Sequence, residues 1–235
     1  MKTEFIYGVR PVIEALRSPR REVHAVLAAV EDREVAEAAA AGGVGVEHVR
    51  RGRIEELAAG GVHQGIAARV GPYPYSGLDE MLEVPQPLIL MLDGVTDPRN
   101  LGAVLRAADG AGASGVVVPK DRAAGVTAAA VKASAGASEH VRVARETNLR
   151  RALDRAKKAG AWAYAAEGGG ELPYTEVDLA GPAVLVLGSE GKGVRRLVRE
   201  GCDGAVSIPM SGAVSSLNVS VASAVLLFEA RRQRG

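Results

Sequence analysis

Leu88-Ile-Leu-Met-Leu-Asp-Gly-Val-Thr-Asp-Pro-Arg-Asn-Leu-Gly-Ala-Val-Leu-Arg106 is the stretch that decides the fold. Its apolar run, residues 88–92, is too short for an ordinary helix and reads as a strand buried on both faces. A polar turn follows, then a helix from about residue 100 to 111. The same alternation continues downstream. Strands are expected at 116–118, 141–143, 161–166, 183–187 and 205–208. Helices are expected near 126–134, 149–159, 194–199 and 216–231. Repeated strand–helix units imply an α/β fold with a mostly parallel sheet covered on both faces. Ligands on such sheets sit at the carboxyl ends of the strands.

Upstream, residues 71–87 read GPYPYSGLDEMLEVPQP. Four prolines there remove backbone donors and disfavour helix in the residues before them. We read an interdomain linker, which leaves a small domain at 1–70 and a large one at 88–235. In the small domain, Val9, Val12, Ile13 and Leu16 share a helical face. Residues 23–30, 44–49 and 65–70 read as strands, and 31–41 and 54–59 as helices. This is a small α/β sandwich. Its arginines bunch at Arg17, Arg20, Arg21 and at Arg50, Arg51, Arg53, either solvated surface or phosphate contacts.

Composition narrows the function classes. The 235 residues are 47% hydrophobic and 24% charged, with net charge +1. A general polycation is excluded, so any nucleic-acid site must be a local basic patch. Aromatics make up 3%, too few for stacking on many rings to be the main way of holding RNA. The single cysteine, Cys202, rules out an internal disulfide framework. The chain start lacks an apolar signal core, and no stretch approaches a membrane span, so a cytoplasmic protein is expected. No metal is expected, because no His/Cys/carboxylate cluster has ligand spacing.

Two glycine-rich stretches mislead. Gly110-Ala-Gly-Ala-Ser-Gly115 matches the dinucleotide fingerprint, but it leaves a helix and enters a strand, the reverse of what pyrophosphate binding needs. A helix C-cap with a left-handed glycine is the simpler reading. Gly188-Ser-Glu-Gly-Lys-Gly193 lacks the spacing and the Ser/Thr of a phosphate loop.

Three polar segments lie at expected strand ends and converge on one sheet edge: residues 92–106, 185–193 and 208–218. These segments resemble the three motifs of the SpoU/TrmH branch of the SPOUT methyltransferases. The tail, from Val206-Ser-Ile-Pro-Met through Ser-Leu-Asn-Val-Ser-Val-Ala to Leu-Phe-Glu229, is similar to that family's third motif nearly throughout. Phe5-Ile-Tyr-Gly-Val-Arg-Pro-Val-Ile-Glu-Ala-Leu16 and His63-Gln-Gly-Ile-Ala67 resemble the family's L30e-like RNA-binding module.

The resemblance implies a C-terminal trefoil knot, rare among proteins, a homodimer with a shared site, and S-adenosylmethionine as cofactor. It implies cofactor contacts from Leu187, Gly188, Ile208, Pro209, Met210 and Leu217. It casts Asn100, Arg106, Glu190, Ser216 and Asn218 as the catalytic set. Arg106 aligns with the family's catalytic arginine. A guanidinium holds its proton too firmly to serve readily as a base, so gripping a phosphate beside the target ribose and stabilising the developing alkoxide is the simpler role. Each residue also has an ordinary reading: Asn100, Ser216 and Asn218 as helix caps, Glu190 as a first-turn acid, Arg106 as a surface arginine. Arg145, Arg150, Arg151, Arg155, Arg195, Arg196 and Arg199 are candidate phosphate contacts or solvated charge. The four histidines and Cys202 read as structural or surface residues.

The expected function is 2′-O-methylation of a ribose, with a guanosine in the peptidyl-transferase region of 23S rRNA as the substrate the resemblance favours. A tRNA ribose methylase of the same family, a non-catalytic RNA-binding protein and a nucleotide-dependent oxidoreductase stand as alternatives.

Overall fold

The computed structural model describes residues 3–189 and 191–235, which build two sheets. The first has four strands in the order β1 (Glu4–Tyr7), β4 (Ile66–Val70), β2 (Val23–Ala28), β3 (Val46–His48). β4 is antiparallel to both neighbours, whereas β2 and β3 are parallel. Helices α1 (Val9–Arg17), α2 (Arg33–Ala41) and α3 (Arg51–Ala58) fill the connections. Asp32 caps α2 by accepting from the Val35 N–H at 3.0 Å. The elements expected here are all present, with ends moved by a few residues. β1 is an addition: four residues, held by pairing Glu4–Val70 through Tyr7–Ala67.

The second sheet has seven strands: β7 (Val143–Glu146), β6 (Gly115–Pro119), β5 (Leu88–Asp93), β10 (Ala183–Gly188), β8 (Trp162–Ala166), β11 (Gly204–Ser207) and β9 (Leu172–Pro173), in that order. Every described pairing is parallel. The α/β class is therefore as expected. The sheet is flanked by α4 (Leu78–Leu82), α5 (Pro98–Ala111), α6 (Ala128–Ala133), α7 (Leu149–Lys158), α8 (Arg196–Arg199) and α9 (Val219–Arg234). The unbroken apolar run of β5 has a simple cause. Leu88, Leu90 and Leu92 enter the core on one face, and Ile89 and Met91 enter the core on the other. Leu185 and Leu187 of β10 divide from Val184 and Val186 in the same way.

Gly112 ends α5 in the left-handed region at φ 71°, so the dinucleotide-like string is a helix cap. Gly102 sets how closely α5 crosses α6: a Cβ there would lie 2.5 Å from the Ala130 carbonyl oxygen.

Residues 71–87 are packed against the body. α4 buries Leu78 and Met81, and the Tyr73 hydroxyl donates to the Ser138 carbonyl at 2.7 Å. Beneath them lies a buried ion pair. Arg21 donates to Glu139 Oε1 at 3.0 Å and to Glu4 Oε2 at 2.8 Å, and its guanidinium lies 5.6 Å from the Tyr73 ring centre. Burial pushes the Glu139 carboxyl up, against the pull of Arg21. Its Oε2 has no hydrogen-bond partner among the described residues.

Candidate active site

Because all seven strands point the same way, the loops after β5, β8, β10 and β11 emerge on one edge. The loop after β10 is pinned to β5. Ser189 N–H donates to the Asp93 carbonyl at 3.0 Å, and Gly193 N–H donates to the Ser189 carbonyl at 2.9 Å. The Asp93 carboxylate, 1% exposed, accepts from the Arg195 backbone N–H at 2.8 Å and from Arg195 Nε at 2.6 Å. This ring of bonds holds Gly188 and Ser189 close against residues 193–195 in a tight arch. Gly188 sits where the arch folds back on itself. A Cβ on it would fall 1.9 Å from the Gly193 carbonyl carbon, so only glycine fits.

Against this arch lies a cavity of about 480 Å³, within the range of small-molecule sites. Five of the six expected cofactor residues line it: Leu187, Gly188, Ile208, Met210 and Leu217. The exception is Pro209, which is exposed between two of them and is not part of the wall. Ser216 lines the cavity as well. The expectation that Ser216 opens the last helix is corrected. α9 begins at Val219, and Asn218 is its cap, accepting from the Ser220 N–H at 2.9 Å.

Asn100 is corrected in the same way as a cap. Asp97 caps α5, accepting from the Arg99 N–H at 2.8 Å, and Asn100 lies inside the first turn. Its side chain is thereby left for a contact across the site. Asn218 Nδ2 donates to Asn100 Oδ1 at 3.1 Å, tying the first motif loop to the third. Glu190 lies outside the described residues.

Arg106 is not in the cavity wall. Six residues after Asn100, it projects about 120° away around the helix. It is exposed, and it makes no ion pair or hydrogen bond with any described residue. Its position is nonetheless informative. It stands one turn from Gly110, against which the Phe228 ring of α9 rests, 3.4 Å from where a Gly110 Cβ would be. Phe228 (51% exposed) and Val221 (48%) form, with half-buried Ala224 and Val225, a stripe at i, i+3, i+4, i+7. An uncovered apolar face therefore borders Arg106.

Sequence reasoning missed the loop after β8. Ala166, Glu167 and Gly168 line the cavity, and a Cβ on Gly168 would lie 3.4 Å from the Ser215 carbonyl oxygen. The signal was there: Glu167-Gly-Gly-Gly170 directly follows an expected strand.

The basic clusters are mostly engaged. Arg195 binds Asp93, Arg196 binds Glu200, Arg199 binds Glu167, Arg150 binds Asp154, and Arg155 bridges Asp79 and Glu146. Arg21 is buried, and Arg20 donates to the carbonyls of Val141 and Pro74. These arginines are structural first. The histidine expectation holds: His63 is buried with Nδ1 accepting from the Gly65 N–H, His140 pairs with Glu14, His24 lies beside Glu22, and His48 is exposed at the end of β3. Burial pushes the Cys202 thiol up to about 11, in keeping with a packing role.

Comparison with known proteins agrees with this geometry. Residues 87–228 match the model of the SpoU rRNA methylase family, and residues 5–76 match that of the RNA 2′-O ribose methyltransferase substrate-binding domain. The chain is 46% identical to the 23S rRNA (guanosine-2′-O-)-methyltransferase RlmB of Pseudomonas syringae pv. tomato, over 98% of this chain and 96% of that protein. It is 40% identical to the putative TrmH family tRNA/rRNA methyltransferase YacO of Bacillus subtilis, over 98% and 96%. Among solved structures it resembles the SpoU methyltransferase AviRb from Streptomyces viridochromogenes in complex with AdoMet. The TM-score is 0.84 at 27% identity, covering 98% of this chain and 89% of that one. The A. aeolicus TrmH/SpoU tRNA modifying enzyme matches with TM-score 0.58 at 31% identity, covering 67% of this chain and 80% of that one. The chain belongs to the SpoU rRNA methylase family.

Proposed function

We propose that this chain methylates the 2′-hydroxyl of a guanosine ribose in 23S rRNA, with S-adenosylmethionine as donor, and that it works as a cytoplasmic homodimer. The observation that carries the reading is the convergence of the loops after β10 and β11 on one shared cavity, with the loop after β5 tied in through Asn100. Full-length similarity to RlmB supports the substrate, and the A. aeolicus tRNA modifying enzyme covers only 67% of this chain. Residues 1–70 serve as the L30e-like RNA-binding unit, 71–87 as the linker and 88–235 as the methyltransferase unit.

The cavity suits the cofactor. Ile208, Met210 and Leu217 supply apolar surface for adenine, Gly188, Ser189 and Gly193 supply close backbone, and Lys192 supplies a cation for a carboxylate. When bound, S-adenosylmethionine supplies a methyl carbon already electrophilic on a sulfonium, so the reaction requires no metal. The chain's residues have the remaining tasks: orient the ribose oxygen, favour loss of its proton and exclude water. Asn100, Ser216 and Asn218 position the sugar by hydrogen bonds. Glu190 orients the substrate or Arg106, a role resting on the motif alone. Arg106 grips the adjoining phosphate and stabilises the alkoxide.

The dimer accounts for where Arg106 lies. A second copy covering Val221, Val225 and Phe228 would lie beside it, so that each arginine could serve the partner's pocket. The C-terminal segment is threaded as a trefoil knot. Two close backbone passages support this: Gly188 on Gly193, and Gly170, whose Cβ would sit 2.8 Å from the Val206 carbonyl carbon.

Mapping ribose methyls in 23S rRNA from a strain lacking this gene tests the reading. One missing 2′-O-methylguanosine, restored by the wild-type gene and not by an Arg106→Ala copy, is expected. A complete set of ribose methyls in the deletion strain would refute it.

A further inference from the structure

The carboxyl ends of β2 and β3 border a second recess, shallow and open to solvent, about 320 Å³, formed by residues 28–31 and 48–50. Its charges set it apart from the rest of the small unit. The first 70 residues carry ten acidic and ten basic side chains, and nearly all are engaged: Arg10 and Arg17 with Glu34, Arg33 with Glu37, Arg51 with Glu55, Arg53 with Glu56, Arg69 with Glu47. Among the described residues of this unit, Arg50 is the one arginine whose side chain makes no ion pair or hydrogen bond. Glu31 is the one such carboxylate. Both line this recess, and they do not pair with each other.

A ligand that satisfies both must present acceptors to the guanidinium on one edge and donors to the carboxylate on another. Guanine does so: O6 and N7 accept, as in the commonest arginine–base contact, while the adjoining Watson–Crick edge donates from N1–H and the N2 amino group. Ala28, Ala29, Val30 and Val49 give the base an apolar wall, with Val30 left 40% exposed. A chain with 3% aromatic residues has few rings on which to stack RNA bases. A hydrogen-bonding recess for one splayed-out base is the available alternative.

We propose that this recess binds a single unpaired guanosine of the RNA substrate, read by Arg50 and Glu31, away from the nucleotide that is methylated. The inference rests on the RNA-methyltransferase reading for its biological setting, and its test is separable from it. Fluorescence anisotropy with the full chain would compare labelled nine-nucleotide RNAs, oligouridine with one central G, A, C or U. The expected result is about tenfold tighter binding of the G probe. That preference is lost in Arg50→Ala and in Glu31→Ala and kept in Arg51→Ala, with thermal unfolding and S-adenosylmethionine affinity unchanged in all three. Equal affinity for the four probes, preference for another base, or an intact G preference in Arg50→Ala would overturn the proposal. Guanosine-selective binding without methyl transfer would uphold the recess and refute the enzymatic reading. Methyl transfer without guanosine selectivity would do the reverse.

Discussion

Adding one methyl group at Gly188 tests how the cofactor arch is built. In Gly188→Ala the new carbon falls 1.9 Å from the Gly193 carbonyl carbon, 2.1 Å from its oxygen and 2.2 Å from the Val194 nitrogen. Real Cβ contacts do not come under 3.0 Å, so the segment at Gly193 must retreat by about 1.1 Å, the difference between 3.0 and 1.9. No flexible side-chain tip can absorb this, because all three atoms are backbone. The arch also cannot retreat freely, being closed by the Ser189–Gly193 bond and anchored by Asp93 to Arg195. Overpacking of this kind costs about 1–3 kcal/mol. The same arch lines the cavity, so the cost falls on the cofactor-binding conformation, and affinity for S-adenosylmethionine should drop about 5- to 150-fold. Isothermal calorimetry measures it directly. Gly181→Ala is the control, since nothing lies within 4 Å of a Cβ there and its φ is unexceptional. Affinity in Gly188→Ala within twofold of wild type would show that the arch does not shape the cofactor site.

Further outcomes follow from other parts of the molecule. Arg106→Ala should lower kcat at least a hundredfold while S-adenosylmethionine affinity stays within twofold, because the residue is outside the cavity wall; calorimetry beside single-turnover kinetics separates the two. Phe228→Glu should convert a dimer of about twice 24.3 kDa into a monomer in multi-angle light scattering; an unchanged mass would clear α9 of an interface role. Arg21→Met leaves the Glu139 carboxylate buried without its cation, costing about 3–5 kcal/mol. Thermal unfolding should then fall by roughly 6–20 °C for a chain of this size.

The legibility of these features in the sequence followed how local their causes are. β5 and β10 could be read because burial on both faces demands an unbroken apolar run. Gly112 could be read because a left-handed cap after a helix is a short-range signal. β1 could not: Glu4–Tyr7 is four residues long, and its strand state depends on β4, some sixty residues away. The prolines of residues 71–87 pointed to a linker, yet α4 fits in the proline-free gap between Pro74 and Pro85, and Met81 packs so closely that a Cβ on Gly115 would lie 2.5 Å from its sulfur. The arginine clusters looked available because spacing does not reveal partners such as Glu139, distant in sequence and adjacent in space. At the site, glycines and strand ends marked the cavity well. The contact between Asn100 and Asn218 needed the fold, since it spans 118 residues.

The central claim is that the cavity between the β10 arch and the segment leading into α9 serves ribose methylation. Purified protein incubated with S-adenosylmethionine and a 23S rRNA transcript, followed by digestion and nucleoside mass spectrometry, tests it most directly. The account predicts a single new 2′-O-methylguanosine, absent with Arg106→Ala. A methyl group on a base, or none on the RNA despite bound cofactor, would contradict it.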